Sequence, residues 1–366
     1  MSILLLAILL SFQSANEWYA TGVRLAAAGS TGEAIRAYRQ AVKENPRHVE
    51  AWNNLGDLLR RAGDRDGALD AIEHALAADP GHSRASLNAG ILQIDAKHFK
   101  EALGFLQTAR KGMGDQPALD YLFARAHLEL NDYPSAKPYI ARFRQSTPLS
   151  PAAALELATL LMGREENAEA AEMLLAIPEP GRTPETRIRL GQAWYALDQL
   201  ENARNTFAEF LKMAPDDFRG RLWHGYAARG LGDIETAASD WQQALALNPE
   251  SVDALVALAD LELDQNRATE ALALSERALR VNAESAAALL VDGLALLRLQ
   301  RPSDAAAVLS RIPSSATEYS RALYPLSRAY RQIGDIEKAD LALREFQTLD
   351  EAGRTQSPTP GRKRPE

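Results

Sequence analysis

The chain has 366 residues, with 41 Lys or Arg against 49 Asp or Glu, which gives a net charge of −8 at pH 7. It contains no cysteine, which excludes disulfides, thiolate metal sites, cysteine nucleophiles and a lipid-modified N-terminal cysteine. The acidic balance argues against a general nucleic-acid binder, because such proteins need a basic surface that displaces counterions from phosphates.

Residues 1–15 form an apolar N-terminal segment. Its run Ile3–Leu10 reads ILLLAILL and carries no charge. A run of this length is too short to span a bilayer, but it fits the apolar core of a secretory signal peptide. Against that interpretation, no Lys or Arg precedes the run, and a cleavage after Ala15 would place Gln13 where a small residue is preferred. We therefore expect a signal peptide or membrane anchor or, alternatively, a helix that caps the structure after it.

A repeat of 34 residues follows, and small residues recur in it at fixed positions. The repeats begin at Ala15, Val49, Ser83, Pro117, Pro151, Pro184, Phe218, Val252, Ala286 and Ser320. Position 20 is always alanine: Ala34, Ala68, Ala102, Ala136, Ala170, Ala203, Ala237, Ala271, Ala305 and Ala339. Position 8 is always Gly, Ala or Ser. Because small side chains let two antiparallel helices approach closely, this pattern predicts a helix pair in each repeat.

The clearest repeat, VEAWNNLGDLLRRAGDRDGALDAIEHALAADPGH from Val49, also has Trp52 at position 4 and Pro80 at position 32. It closely resembles the tetratricopeptide repeat (TPR), a helix-turn-helix unit of 34 residues. The resemblance covers residues 15–353, with about ten tandem repeats, and implies an all-α, right-handed superhelical solenoid of antiparallel helix pairs. In this pattern Gly-Asp or Asn-Asp pairs in four turns supply a left-handed helix end and then an N-cap.

Two further segments depart from the repeat. Residues 178–184 read PEPGRTP, and the repeat register slips by one residue there. They form either a hinge between repeats 1–5 and 6–10 or a tight turn within one continuous solenoid of residues 16–353. Residues 354–366 are rich in Pro, Arg and Lys and are expected to be a disordered tail.

No catalytic motif stands out. The sequence has no GxxxxGK[ST] phosphate-binding loop, no HExxH and no cysteine-based zinc spacing. Its six histidines are scattered over different repeats. We therefore predict that the chain is not an enzyme and has no catalytic residues, no cofactor and no metal site.

The predicted binding surface follows from the resemblance. In TPR proteins the first helix of each repeat lines a concave groove through positions 2, 5, 9, 12 and 13, and some members hold an extended peptide with a ladder of Asn at position 6. Asn54 and Asn88 match that ladder. Ordinary packing between repeats is the alternative role for the groove residues. The candidate partner-binding residues are Asn53, Asp57, Arg60, Arg61, Asn88, Tyr121, Arg125, Tyr195, Tyr226, Arg229, Tyr324, Arg328 and Arg331.

Tyr, Arg and apolar residues are mixed along this groove, a composition typical of protein interfaces. The leading hypothesis is a non-enzymatic scaffold that binds a peptide or helix of a partner protein, with no nucleic acid bound. The alternatives are a bacterial cell-envelope assembly or trafficking factor, and an accessory subunit of an enzyme such as a glycosyltransferase. The expected location is exported, periplasmic or membrane-attached, with membrane contact only through residues 3–10 if they are retained. A cytoplasmic location is the alternative.

Overall fold

A computed structural model describes residues 3–356, and it describes side chains for residues 14–351. Within this range the chain forms α-helices joined by short turns, with one 3-10 turn at Glu179–Gly181 and no strand. Helices α1 to α20 alternate as the first and second helix of each repeat.

The first helices are α1 Ile3–Ala27, α3 Val49–Arg61, α5 Ser83–Asp95, α7 Pro117–Glu129, α9 Pro151–Met162, α11 Pro184–Ala196, α13 Phe218–Gly230, α15 Val252–Asp264, α17 Ala286–Arg298 and α19 Tyr319–Gln332. The second helices are α2 Thr31–Glu44, α4 Arg65–Ala78, α6 Phe99–Met113, α8 Tyr133–Arg144, α10 Asn167–Ala176, α12 Leu200–Met213, α14 Ile234–Leu247, α16 Ala268–Val281, α18 Pro302–Leu309 and α20 Ile336–Gln356. Eight first helices begin at the predicted repeat starts, and α19 begins one residue early. The all-α repeat prediction is confirmed.

The small residues lie where the two helices of a repeat meet. All ten alanines at position 20 are fully buried. Each glycine at position 8 faces the large side chain at position 24 of its own repeat, so closely that an added methyl group would lie under 3 Å from it. This contact explains why position 8 is always small. The pairs are Gly22 with Tyr38, Gly56 with Ile72, Gly90 with Leu106, Gly191 with Phe207, Gly225 with Trp241 and Gly293 with Leu309.

The turn between the helices has one backbone conformation throughout. Position 15 has a positive φ, between 57° and 85°, in all ten repeats. It is glycine in four repeats and Lys97, Asn131, Glu165, Asp198, Asn266 or Gln300 in the others. The following residue caps the second helix where it is aspartate, since Asp64, Asp132 and Asp233 each accept a hydrogen bond from a backbone N–H at the start of that helix. The predicted turn chemistry is confirmed.

The chain divides into two compact units, Met1–Arg182 and Thr183–Glu366, here called the N-terminal and C-terminal units. The boundary falls inside the predicted linker 178–184, after the 3-10 turn. In each unit five helix pairs pack in chain order. The second helix of a repeat generally packs against the first helix of the next one, whereas α9 packs mainly against α7 and α10. Hinge motion at the boundary stays a prediction.

Both ends of the repeat array continue beyond the predicted bounds. α1 is one continuous helix from Ile3, so it joins the apolar N-terminal segment to the first repeat. None of the described helices combines the length and the apolar character needed to cross a membrane. At the other end α20 continues to Gln356, and residues 357–366 of the predicted tail lie outside the described residues.

The contact between positions 8 and 24 can be tested at Gly225. A methyl group there would lie 2.6 Å from Nε1 of Trp241, which is fully buried and donates a hydrogen bond to the Leu222 carbonyl at 3.1 Å. Because this indole is held in place, we expect Gly225→Ala to lower the free energy of unfolding by about 1–3 kcal/mol. Urea unfolding followed by circular dichroism measures the change.

Gly104 provides the matched control. It is exposed in the middle of α6, and a methyl group there would have no neighbour within 4 Å. Gly104→Ala should therefore raise stability by about 0.5–1 kcal/mol. Equal effects of the two substitutions would contradict the packing explanation.

The turn conformation can be tested by exchanging glycine for other residues in the C-terminal unit. Gln300 has φ 57° and Gly232 has φ 82°. Because a left-handed conformation costs a residue with a Cβ roughly 1–2 kcal/mol, Gln300→Gly should stabilise the protein and Gly232→Ala should destabilise it, each by about 1 kcal/mol. Thermal unfolding of the two variants measures both shifts, and both signs would be reversed if the turn imposed no backbone requirement.

Candidate functional site

All the predicted groove residues lie on first helices. α3 carries Asn53, Asp57, Arg60 and Arg61. The other groove residues of the N-terminal unit are Asn88 on α5 and Tyr121 and Arg125 on α7. In the C-terminal unit they are Tyr195 on α11, Tyr226 and Arg229 on α13, and Tyr324, Arg328 and Arg331 on α19.

In the N-terminal unit a chain of hydrogen-bonded amides crosses three helices. Asn88 Nδ2 donates to Asn53 Oδ1 at 2.9 Å, and Asn53 Nδ2 donates to Asn54 Oδ1 at 3.2 Å. Asn54 Nδ2 in turn donates to the Tyr38 hydroxyl at 3.3 Å. Asn53 is buried, whereas Asn54 and Asn88 are half-buried. The structure therefore makes Asn53 the residue that orients the other two amides.

A cleft of about 530 Å³ lies beside two of these amides, Asn53 and Asn54. Asn53 and Asn54 form part of its wall, and the end of α6 and the start of α7 close another side. Other lining residues are Tyr19, Glu50, Arg84, Met113 and Gln116. The cleft thus combines amides, one residue of each charge and two large side chains that can pack on a ligand.

Tyr19 and Arg84 were missed as candidate site residues, although a signal for them was present. They occupy positions 5 and 2 of their repeats, which belong to the groove pattern. Met113 is the last residue of α6 and Gln116 directly precedes α7, so neither belongs to a first helix and the groove pattern does not indicate them.

The groove arginines of repeats 2, 4 and 7 are paired with carboxylates. Arg60 and Arg61 contact Asp57 on their own helix at 3.0 and 2.8 Å. Arg125 contacts Glu156, on the next first helix, at 3.0 Å. These pairs balance the charge of Arg125 fully and that of Arg60 and Arg61 in part, because these two arginines share one carboxylate.

Arg229 follows the same arrangement in the C-terminal unit. Its two terminal nitrogens lie 2.7 Å from Asp260 and 2.7 Å from Asp264, both on the next first helix, α15. Arg125 and Arg229 therefore connect successive repeats, which is the packing role that the sequence left open for them. Their partners were not predicted, because these carboxylates lie in the following repeat and the pattern within one repeat does not indicate them.

Tyr121 adds a second bond to the Glu156 carboxylate. Its hydroxyl donates to Glu156 Oε2 at 2.5 Å. Burial, and then this hydrogen bond, raise the pKa of Tyr121 to about 12. The phenol therefore stays protonated and acts as a donor over the whole physiological range.

Aromatic rings cluster on α11 and α13. The ring centroids of Tyr195, Trp223 and Tyr226 lie 5.6 to 6.3 Å apart, and Tyr226 also packs edge-on against Trp241 at 5.4 Å. The Tyr226 hydroxyl donates to the Asp253 carbonyl at 3.3 Å, and burial raises its pKa. Trp223, at position 6, was missed by the sequence analysis. The half-buried rings form a cohesive patch with apolar faces.

The groove face of α19 is the most exposed. Tyr324 is 49% exposed, and Arg328 is exposed as well. Arg331 contacts Asp340 at 2.9 Å, and both members of this pair are exposed. Among residues 14–351, no group of three His, Asp or Glu side chains is arranged to hold a metal ion.

Solved structures with a similar fold are TPR proteins. The C-terminal part of a TPR repeat-containing protein from Cytophaga hutchinsonii is 13% identical, with a TM-score of 0.55 over 65% of this chain and 98% of that one. Yeast Tom70 is 12% identical with a TM-score of 0.41, over 94% of this chain and 96% of that one. YrrB, described as a TPR protein with an unusual peptide-binding site, is 20% identical with a TM-score of 0.36, over 60% and 97%. At these identities the Cytophaga structure supports the fold alone.

Comparison with sequences gives the family. No curated protein matches the chain. Models of the tetratricopeptide repeat match residues 19–82, 121–183, 188–241, 224–280 and 256–320, and others match residues 59–126 and 320–352. Together they account for most of the 366 residues, and the chain belongs to the tetratricopeptide repeat family.

Proposed function

We propose that this protein is a non-catalytic scaffold that holds an extended peptide segment of a partner protein on the first helices of its N-terminal unit. Membership of the TPR family supports a protein-interaction scaffold, because repeat arrays of this kind present extended surfaces to their partners. The observation that carries the finer proposal is the Asn53–Asn54–Asn88 hydrogen-bond chain beside the 530 Å³ cleft.

Amide side chains suit an extended backbone because each one can both donate to a carbonyl and accept from an N–H. Asn88 Oδ1 accepts no hydrogen bond from the described residues, and the Asn54 amide has a second N–H beyond the one given to Tyr38. These unused positions can bond to a peptide that lies across α3 and α5. The bond network has already oriented both amides, so less entropy is lost on binding.

The rest of the cleft adds side-chain selectivity to this backbone recognition. Glu50 and Arg84 are exposed and of opposite charge, so they favour a peptide with both charge signs. Tyr19 and Met113 offer surfaces on which an apolar side chain can pack.

The groove arginines are less suitable for testing this function. Reversing the charge of Arg125 or Arg229 would break contacts with the next first helix, so a loss of binding would also follow from a loss of structure. Two amides of the hydrogen-bond chain separate the two effects, because Asn54 and Asn88 are half-buried and carry no charge.

A binding measurement with a selected peptide tests the proposal. A peptide that binds the intact chain would be selected from a displayed library of random twelve-residue segments and then synthesised with a fluorescent label. We expect Asn88→Ala to weaken its binding about tenfold, since a lost hydrogen bond costs roughly 0.5–1.5 kcal/mol. Asn54→Ala should have a similar effect.

Asn202→Ala is the matched control, because Asn202 is an exposed asparagine on α12 in the C-terminal unit. It should leave the affinity unchanged. If the selected peptides bound Asn54→Ala and Asn88→Ala as tightly as the original chain, the amides would not be the binding site.

Location is a separate proposal. We propose that the protein is exported or membrane-attached, which is supported by the uncharged run Ile3–Leu10 and would suit a role in cell-envelope assembly. Fractionation of the source cells and sequencing of the mature N-terminus provide the test. We expect an envelope fraction, with Asn16 as the first residue if the segment is cleaved. A cytoplasmic product that starts at Met1 would exclude export.

The accessory-subunit alternative has a different test. Co-purification of an enzymatic activity with the protein would indicate such a subunit.

A further inference from the structure

Repeats 4 and 10 carry the same three side chains in the same arrangement. Positions 5, 9 and 27 are Tyr121, Arg125 and Phe143 in repeat 4 and Tyr324, Arg328 and Phe346 in repeat 10. The Tyr and Phe ring centroids lie 5.8 Å apart in both repeats, and the interplanar angles are 44° and 46°. The two sets therefore form equivalent surfaces, one in each unit.

In repeat 4 this surface binds a carboxylate on α9, the first helix of the next repeat. Glu156 of α9 accepts a hydrogen bond from the Tyr121 hydroxyl at 2.5 Å and pairs with Arg125 Nε at 3.0 Å. α9 has the sequence PAAALELATLLM, in which Glu156 is the only charged residue. The repeat 4 surface is thus covered by a helix of the same chain, which is apolar apart from a single carboxylate.

In repeat 10 the same surface is uncovered among the described residues. Tyr324 is 49% exposed, whereas Tyr121 is half-buried. Phe346 is partly buried, whereas Phe143 is only 3% exposed. Arg328 is exposed and contacts no carboxylate among the described residues, in contrast to Arg125. All three side chains are more exposed than their counterparts in repeat 4, where α9 covers the surface.

We propose that the surface formed by Tyr324, Arg328 and Phe346 docks an amphipathic helix of a partner protein, with a carboxylate on the apolar face of that helix between Tyr324 and Arg328. Charge complementarity and the repeat 4 arrangement select this occupant. This surface belongs to the C-terminal unit and does not depend on the cleft of the N-terminal unit.

Two other occupants from the chain itself fit less well. Residues 357–366 carry Arg362, Lys363 and Arg364 and no large apolar side chain, so they would bring positive charge to Arg328. The apolar run Ile3–Leu10 of a second copy has no carboxylate to offer. A phosphate-bearing nucleic acid would satisfy the arginine but not the exposed rings, and the net charge of −8 would oppose its approach.

A synthetic peptide with the sequence of residues 150–163 provides the probe. An isolated helix of this length is marginal in water, so a hydrocarbon staple would replace the exposed residues Ala152 and Thr159. We expect the labelled peptide to bind the full chain saturably in fluorescence anisotropy. The same peptide with Gln in place of Glu156 should bind about tenfold more weakly, because a hydrogen bond to a charged group is stronger than one to a neutral group.

Variants of the full chain locate the binding surface. Tyr324→Phe and Arg328→Ala should each weaken binding about tenfold, and circular dichroism should remain unchanged since both side chains are exposed. Arg277→Ala, which removes an exposed arginine from α16, is the control and should not alter the affinity.

Several outcomes would overturn the proposal. Equal affinity for the Glu and Gln peptides would remove the carboxylate from the recognition. Equal affinity of the original chain and Arg328→Ala would place the peptide elsewhere. Displacement of the peptide by a single-stranded DNA oligonucleotide would assign the surface to phosphate. A dimer in light scattering that dissociates on Arg328→Ala would assign it to a second copy of the chain.

Discussion

Close contact between the two helices of each repeat is the constraint on which the rest of the structure depends. Position 8 must be small because the side chain at position 24 lies against its backbone, and position 20 is a fully buried alanine in every repeat. These contacts bring the helices together, and the left-handed turn at position 15 joins them. The first helices are then placed side by side in each unit, where their remaining faces form the candidate binding surfaces.

The placement of helices was predictable because it depends on contacts within one repeat. The ten alanines and the small residues at position 8 record these contacts directly in the sequence, so the period and the starts of most first helices followed from them. The side-chain partners were not predictable in the same way. Glu156, Asp260 and Asp264 reach arginines of the preceding repeat, and such pairing depends on how successive repeats are stacked.

This difference changes the interpretation of the groove. The sequence presents Arg125 and Arg229 as positive charges available to a partner, but the structure uses them to connect first helices within each unit. The surface that remains available to a partner in the N-terminal unit is less charged than the sequence suggests. It consists of the oriented amides and the cleft that Asn53 and Asn54 line. At repeat 10 the corresponding charge has no such intramolecular counterpart among the described residues. The two ends of the chain thus offer different chemistry on the same repeated framework.

The turns indicate where the array tolerates an unfavourable backbone. Repeats 1 and 10, at the ends of the chain, both use glycine at position 15. Six repeats between them adopt the same left-handed conformation with a residue other than glycine: Lys97, Asn131, Glu165, Asp198, Asn266 and Gln300. Because this backbone conformation is unfavourable for a residue with a Cβ, the packed helix pair on either side must hold the turn in place. The same turn is thus built with and without glycine, and each of these six residues marks a place where packing outweighs a local backbone preference.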